Sequence, residues 1–288
     1  MQTFRFYMLT CALAMLNPLA YAGPADRFAD VEISAQHVAG SIHMLVGAGG
    51  NIAATVGPDG TLIVDDQFPE LGGRIQDALV KLGGDKPKLI LNTHWHGDHT
   101  GSNPLMGETG TIISHHNVRV RLLGLEDYPR SGLPLVTYSD RLQLHFNDEE
   151  IEVIHLPTGH TDGDSVVWFK TANVIHMGDH FFNQRFPFVD VASGGSVDGF
   201  IANVRQVLAI IPEDISIIPG HGPLANKDDL TFTIDTVAKT AEEIRKRLQA
   251  GDSDDDIVAW LDKNYQTWGS GFINAARWVL IIKGDANR

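Results

Sequence analysis

Cysteine is nearly absent: Cys11 is the only one in 288 residues. It falls in a leader-like stretch, where Arg5 precedes an apolar run over residues 6–16 and Ala20-Tyr21-Ala22 places small residues at the first and third positions. That pattern is read as a secretory signal peptide, residues 1–22, with cleavage after Ala22. The apolar run is shorter than the roughly 20 residues needed to cross a bilayer, so a stable membrane anchor is the weaker alternative. Met8-Leu9-Thr10 precede the cysteine, where a lipid-attachment site favours a small residue. Residues 23–288 then carry no cysteine. This excludes a disulfide and a thiolate-held metal, even in the periplasmic, oxidising compartment that the leader implies.

Positive charge is also scarce. There are 22 Lys+Arg against 36 Asp+Glu, a formal net charge of −14, which becomes −15 without the leader because only Arg5 is lost. A nucleic-acid partner is not expected, because phosphate binding calls for a basic stripe. The small basic groups at Arg119/Arg121 and Arg245-Lys246-Arg247 lie on helix-like segments and are read as solvated faces. No repeat of fixed period and no low-complexity linker divides the chain. Residues 23–288, 266 of the 288, are read as one domain.

What is present is a set of metal-capable side chains, densest in residues 92–101, NTHWHGDHTG. His94, His96, Asp98 and His99 stand within six residues. β-type runs at 42–46, 52–56 and 61–64 precede them, split by the glycine turn at 47–50 and by Gly57-Pro58-Asp59-Gly60. Apolar residues at 71, 75, 79 and 82 predict a helix over 69–82, ended by Gly83-Gly84, and 88–91 returns to strand. The histidine stretch therefore sits on a loop at the carboxyl end of a buried strand, where α/β sheets commonly bind ligands. Further strands are predicted at 111–114, 142–146, 151–156, 165–169, 174–177 and 215–218. Helices are predicted at 115–123, 197–210, 227–249, after Ser253, and at 272–283. The acids Asp254, Asp255 and Asp256 suit a helix start and need no calcium. The interleaving predicts an α/β fold: a four-layer αββα sandwich of two mixed sheets with helices on the outer faces.

Two more clusters end strands in the same way, around His160 in Thr158-Gly159-His160-Thr161-Asp162-Gly163 and around Asp179 in Met177-Gly178-Asp179-His180. His221 follows in Pro219-Gly220-His221-Gly222. Imidazole and carboxylate without thiolate suit zinc, with iron or manganese as alternatives. His37, His43, His115, His116, His145 and His155 lie outside these motifs and are read as surface or core residues. His176 and His180 flank Asp179 and are read as supports for the ligands. Trp95 is divided between lining the pocket and packing, Phe181, Phe182, Phe186 and Phe188 are read as core and pocket wall together, and residues 47–51 stay open between a mobile flap and a tight turn.

With these motifs in order, the chain resembles the metallo-β-lactamase-fold superfamily, whose hallmark is His-X-His-X-Asp-His followed by a distant His, an Asp and a final His. The resemblance covers residues 42–221 at least, and all seven ligand positions match. It implies two zinc ions, one held by His94, His96 and His160 and the other by Asp98, His99 and His221, with Asp179 bridging. It also implies that Asp65, ending the strand 61–64, braces the histidine loop. The implied activity is hydrolysis of a small-molecule carbonyl substrate by a metal-activated water, with Asp98 orienting the water and passing on a proton.

The departures bear on the substrate. The best-known antibiotic-hydrolysing class has a cysteine at the Asp179 position and a lysine three residues on, where this chain has Phe182. Homoserine-lactone lactonases have a tyrosine at that third position. Glutathione-thioester hydrolases add a carboxy-terminal helical domain with basic residues, whereas the terminal helices here are acid-rich. An exported chain would not meet glutathione thioesters, so opening of a cyclic amide or ester is expected, β-lactam hydrolysis first, with Arg185 as the substitute for the missing lysine. The alternatives are a lactonase or other ester or thioester hydrolase of the same fold and, from another class, a mononuclear iron sulfur-dioxygenase.

Overall fold

The computed structural model describes residues 27–286, so the leader reading for residues 1–22 lies outside the described residues. Seven strands form the first sheet in chain order: β1 (Ser34–Ala39), β2 (Ile42–Val46), β3 (Ile52–Gly57), β4 (Gly60–Val64), β5 (Leu89–Asn92), β6 (Thr111–His115) and β7 (Val136–Tyr138). Hairpins make β1 to β4 antiparallel, and crossovers make β4 to β7 parallel. The second sheet runs β12-β11-β10-β9-β8, from β8 (Arg141–Phe146), β9 (Glu149–His155), β10 (Ser165–Phe169), β11 (Val174–His176) and β12 (Ser216–Ile218). Its strands are antiparallel except β11 and β12, which pair in parallel.

Side chains alternate across each strand, and that alternation builds the layers. In β4, Leu62 and Val64 enter the core between the sheets, while Ile63 faces the other way and packs with Ile75 and Leu79 of α1 (Gly72–Lys81). In β10, Val167 and Phe169 meet the first sheet, while Val166 and Trp168 face the helices. On the first sheet's side lie α1, the single-turn α2 (Gly97–Thr100) and α3 (Asn103–Met106), and then α4 (His116–Leu123). On the other lie α5 (Val197–Ile210), α6 (Lys227–Ala250), α7 (Asp254–Asn264) and α8 (Ala275–Ala286), closed around fully buried Trp278. This is the αββα sandwich expected. Among the described residues no helix is long and apolar enough to cross a membrane.

Two strands were not expected from the sequence, and the start of the last helix is displaced. The edge strand β1 has mostly exposed residues, and β7 has three, so neither carries a buried alternation to detect. The last helix starts at Ala275 and not at 272, because Asn274 caps it by accepting the Arg277 N–H at 2.9 Å. Phe272 is thereby left outside the helix, in a turn. Ser253 does cap α7, accepting the Asp256 N–H, and Asp254, Asp255 and Asp256 fill the first turn.

Candidate metal centre

Five strand ends converge at one rim of the sandwich. Asp65 follows β4, residues 93–99 follow β5, His160 lies between β9 and β10, Asp179 follows β11, and His221 follows β12. Two groups of ligand atoms result: His94, His96, His160 and Asp179 within 4.8 Å of one another, and Asp98, His99 and His221 within the same limit. Asp179 stands between them. Its Oδ2 lies 3.5 Å from His160 Nε2 and 3.8 Å from His94 Nε2, and its Oδ1 lies 3.1 Å from His99 Nε2 and 3.3 Å from His221 Nε2. Asp98 Oδ2 is 3.5 Å from His221 Nε2. All seven expected ligands are therefore brought together.

The outer nitrogens of these imidazoles decide what the inner ones can do. His96 Nε2–H donates to Asp190 Oδ2 at 3.0 Å, and His160 Nδ1–H to the Phe188 carbonyl at 2.7 Å. His99 Nδ1–H donates to Asp65 Oδ2 at 2.7 Å. Thr93 Oγ1–H is spent on Asp65 Oδ2 at 2.7 Å, so at the 3.0 Å contact between Thr93 Oγ1 and His94 Nδ1 the ring donates. Each ring thus keeps its proton outside and turns a lone pair inward. Two such lone pairs, His96 Nδ1 and His160 Nε2, face each other at 2.8 Å, and the buried His94 Nε2 and Asp179 Oδ1 have no hydrogen-bond partner. Converging lone pairs and unpartnered carboxylate oxygen are what a cation satisfies and what a hydrogen-bond network does not. The donor set, nitrogen and carboxylate alone, fits zinc.

The electrostatics agree. Burial, reinforced by neighbouring imidazoles, pushes His94 well below the ordinary histidine range, and burial brings His160 to about 4, so both rings are neutral. Burial disfavours a charge on His99 as well, yet Asp179, Asp98 and Asp65 together raise its pKa well above the ordinary value. Burial likewise opposes ionised Asp179, but His221, His99 and His160 hold it well below the usual carboxylate range. Three carboxylates thus draw positive charge to the second group. A divalent cation there answers the same pull and leaves His99 Nε2 free to coordinate.

Asp65 braces the loop as expected, accepting Thr93 N–H at 2.8 Å besides the two bonds above, from a left-handed backbone at φ 65°. His180 does not support a ligand directly. Its Nδ1 lies 3.7 Å from Asp164, its Nε2 takes the Asn203 amide at 3.1 Å, and its ring stacks on Phe200. Its role is to seat α5 against the Asp179 turn. His176 is closer to the ligands: it donates to the Asn51 carbonyl at 2.9 Å and accepts the Gly178 N–H at 3.1 Å. Asn51 also donates to the carbonyls of Pro219 and Gly222, both at 2.9 Å, and Gln67 donates to Gly50 O at 2.7 Å. The 47–51 loop is therefore tied down at its Gly50-Asn51 end, as a turn. Gly50 is required there, since a Cβ would stand 2.1 Å from His99 Cε1.

A cavity of about 640 Å³ opens beside the cluster, lined by His96, Asp98, Asp179 and His221 and by Phe68, Phe182, Arg185, Phe186, Phe188, Phe272 and Ile273, with Gly47, Gly49 and Gly97. Phe182 and Arg185 line it as expected. Trp95 does not: its ring lies 5.0 Å from that of His96 with the Arg121 guanidinium 5.9 Å away, a packing position. Sequence reading missed Asp190, Phe68 and Phe272, and it placed Asn51 in the 47–51 turn or flap without its contacts to the His221 segment. None stands in a motif, and only the fold carries them to the centre.

A family model described as the metallo-beta-lactamase superfamily matches residues 48–222. The chain is 31% identical over 162 residues to a hydroxyacylglutathione hydrolase of Nitrosococcus oceani, covering 55% of this chain and 56% of that protein. It is 24% identical to a metallo-beta-lactamase type 2 of Bacteroides fragilis, over 65% of this chain and 72% of the other. A metallo-beta-lactamase structure from Pontibacter korlensis superposes with a TM-score of 0.62 at 16% identity, covering 72% of this chain and 99% of that one. The chain thus spans little more than half the length of the hydroxyacylglutathione hydrolase that it matches.

Proposed function

The chain belongs to the metallo-beta-lactamase superfamily, and from that premise we propose that it is a dinuclear zinc hydrolase of a small carbonyl substrate, an ester or thioester in the first place. The inward lone pairs of four imidazoles, locked by their outer hydrogen bonds, carry this reading. His94, His96 and His160 would hold one ion, Asp98, His99 and His221 the other, and Asp179 both. When bound, the pair supplies a Lewis acid for the substrate carbonyl and a water of lowered pKa. The remaining work falls to the chain. Asp98, half-buried and lining the cavity, orients the attacking water and takes its proton. Phe182, its ring 5.1 Å from that of His221 and nearly parallel to it, covers that ligand and excludes bulk water.

Ester or thioester cleavage is favoured by the name carried by the more similar of the two sequence relatives above, the hydroxyacylglutathione hydrolase. β-Lactam hydrolysis is the second reading, supported by the Bacteroides fragilis relative and by Arg185, a cation lining the cavity and able to take a substrate carboxylate. Export to the periplasm remains part of the proposal and rests on the leader-like residues 1–22. The test is a panel of nitrophenyl esters, acyl thioesters, lactones and β-lactams on zinc-loaded protein. Turnover of an ester or thioester is expected, with Asp98→Ala lowering kcat by at least about 100-fold. Full activity in that variant would overturn the role given to Asp98, and no turnover of any member of the panel would overturn the hydrolase reading.

A further inference from the structure

Aromatic rings from three distant parts of the chain wall the cavity: Phe68 after β4, Phe182 and Phe188 after β11, and Phe272 from the turn before α8. Phe272 lies beyond residues 48–222, the part that matches the family. Its side chain is among the most open apolar groups described, 72% exposed, yet its place is held. On one side Trp268 is buried in the helical core and its carbonyl accepts the Phe186 N–H at 3.2 Å. On the other side Ile273 is buried as well. Arg277 donates to the Phe272 carbonyl at 2.9 Å and sets its guanidinium 4.8 Å from the ring centre. The Phe272 ring meets Phe188 edge to face at 6.1 Å, and Phe188 lies 5.6 Å from His96 and 5.7 Å from His160. Aromatic contact therefore runs without a break from the first ligand group to an exposed ring fixed at the cavity mouth.

An apolar ring fixed between two buried neighbours and left open gains by being covered, and the cavity is the space beside it. Apart from the ligand side chains His96, Asp98, Asp179 and His221, the cavity offers few polar groups. Arg185 is the one cation lining it, packed beside Gly271, and no hydrogen bond or ion pair engages its guanidinium among the described residues. A glutathione conjugate, with two carboxylates, an ammonium and two peptide groups, would leave most of its polar groups unpaired against such a wall. We propose that Phe272 is a specificity-determining residue and that the site takes acyl substrates with an aromatic or bulky apolar group next to the scissile carbonyl. This deepens the hydrolase reading above and rests on it.

The test uses the full zinc-loaded chain with matched nitrophenyl acetate and nitrophenyl phenylacetate, alongside calorimetric binding of phenylacetate. The expected kcat/KM favours phenylacetate ester by at least about tenfold, and Phe272→Ala lowers that preference by about tenfold, chiefly through KM, with Phe272→Leu between. Phenylacetate binding should weaken in the same order. Turnover of both esters with a preference that Phe272→Ala leaves unchanged overturns the proposal while the hydrolase reading stands. Absence of turnover together with phenylacetate binding that weakens in Phe272→Ala sinks the hydrolase reading and keeps the pocket assignment. Absence of both turnover and binding overturns the two together.

Discussion

Asp190 and His96 meet at 3.0 Å although 94 positions separate them in the chain. Burial works against the Asp190 charge, but the hydrogen bonds from His96 and Ser193 outweigh it and hold the carboxylate below its usual range. Ionised, it fixes the His96 proton on Nε2 and so the lone pair on Nδ1, the atom that faces His160. Asp190→Ala should release that tautomer and weaken metal binding by about 10- to 100-fold, read by competition with a chelator. Asp190→Asn keeps an acceptor and should lose less. Equal affinity in all three proteins would contradict the assignment. At this scale the ligands and the Asp65 brace on His99 were legible, and the partners of His96 and His160 were not. His94, His96, Asp98 and His99 crowd into one stretch, and His160, Asp179 and His221 each sit in a glycine-marked strand end. Asp190 is a single acid in an apolar segment, and the partner of His160 is the backbone carbonyl of Phe188, which no side-chain pattern encodes.

Among the elements, the turn between β2 and β3 ties the two sheets together at the centre. Asn51 reaches across to the Pro219 and Gly222 carbonyls that flank His221, and takes the His176 ring on its own carbonyl. Asn51→Ala strands two carbonyls at a buried position, so a loss of about 1–3 kcal/mol is expected in denaturant melts, together with weaker loading of the His221 group. The β6–α4 junction carries a second buried device. His115 accepts the Asn117 N–H to cap α4 and stacks on His155 at 3.6 Å, the planes 3° apart. Burial, and then the neighbouring His155, lower His115 to about 4, and burial lowers His155 too. The folded state therefore refuses a proton that the unfolded chain accepts below about 6.5. Stability from this pair is complete above that value and falls as pH drops toward about 4. His115→Asn retains a capping group and cannot titrate, so its melting temperature should depend less on pH than wild type between 6.5 and 4; parallel curves would refute the linkage. The strands rich in buried apolar residues were readable in the sequence, whereas β1, four of whose six residues are exposed, and the three-residue β7 were not. The start of α8 was misplaced because Phe272 and Ile273 continue the apolar spacing, while Asn274 sets the boundary by capping.

For the molecule as a whole, the αββα layering follows from residues that alternate between two cores, and the ligands follow from strands that all end at one rim. The net charge of −14 accords with a site that concentrates carboxylates and asks for cations. The cavity wall was legible only in part, because Phe182, Phe186 and Phe188 stand together in the sequence while Phe68 and Phe272 reach them only through the fold. Seven side chains are proposed to hold two zinc ions, and elemental analysis of the purified chain after dialysis against trace zinc reads that number. Two zinc per chain are expected, falling to one or fewer in Asp179→Ala. One tightly held iron per chain with no capacity for a second metal would contradict the proposal.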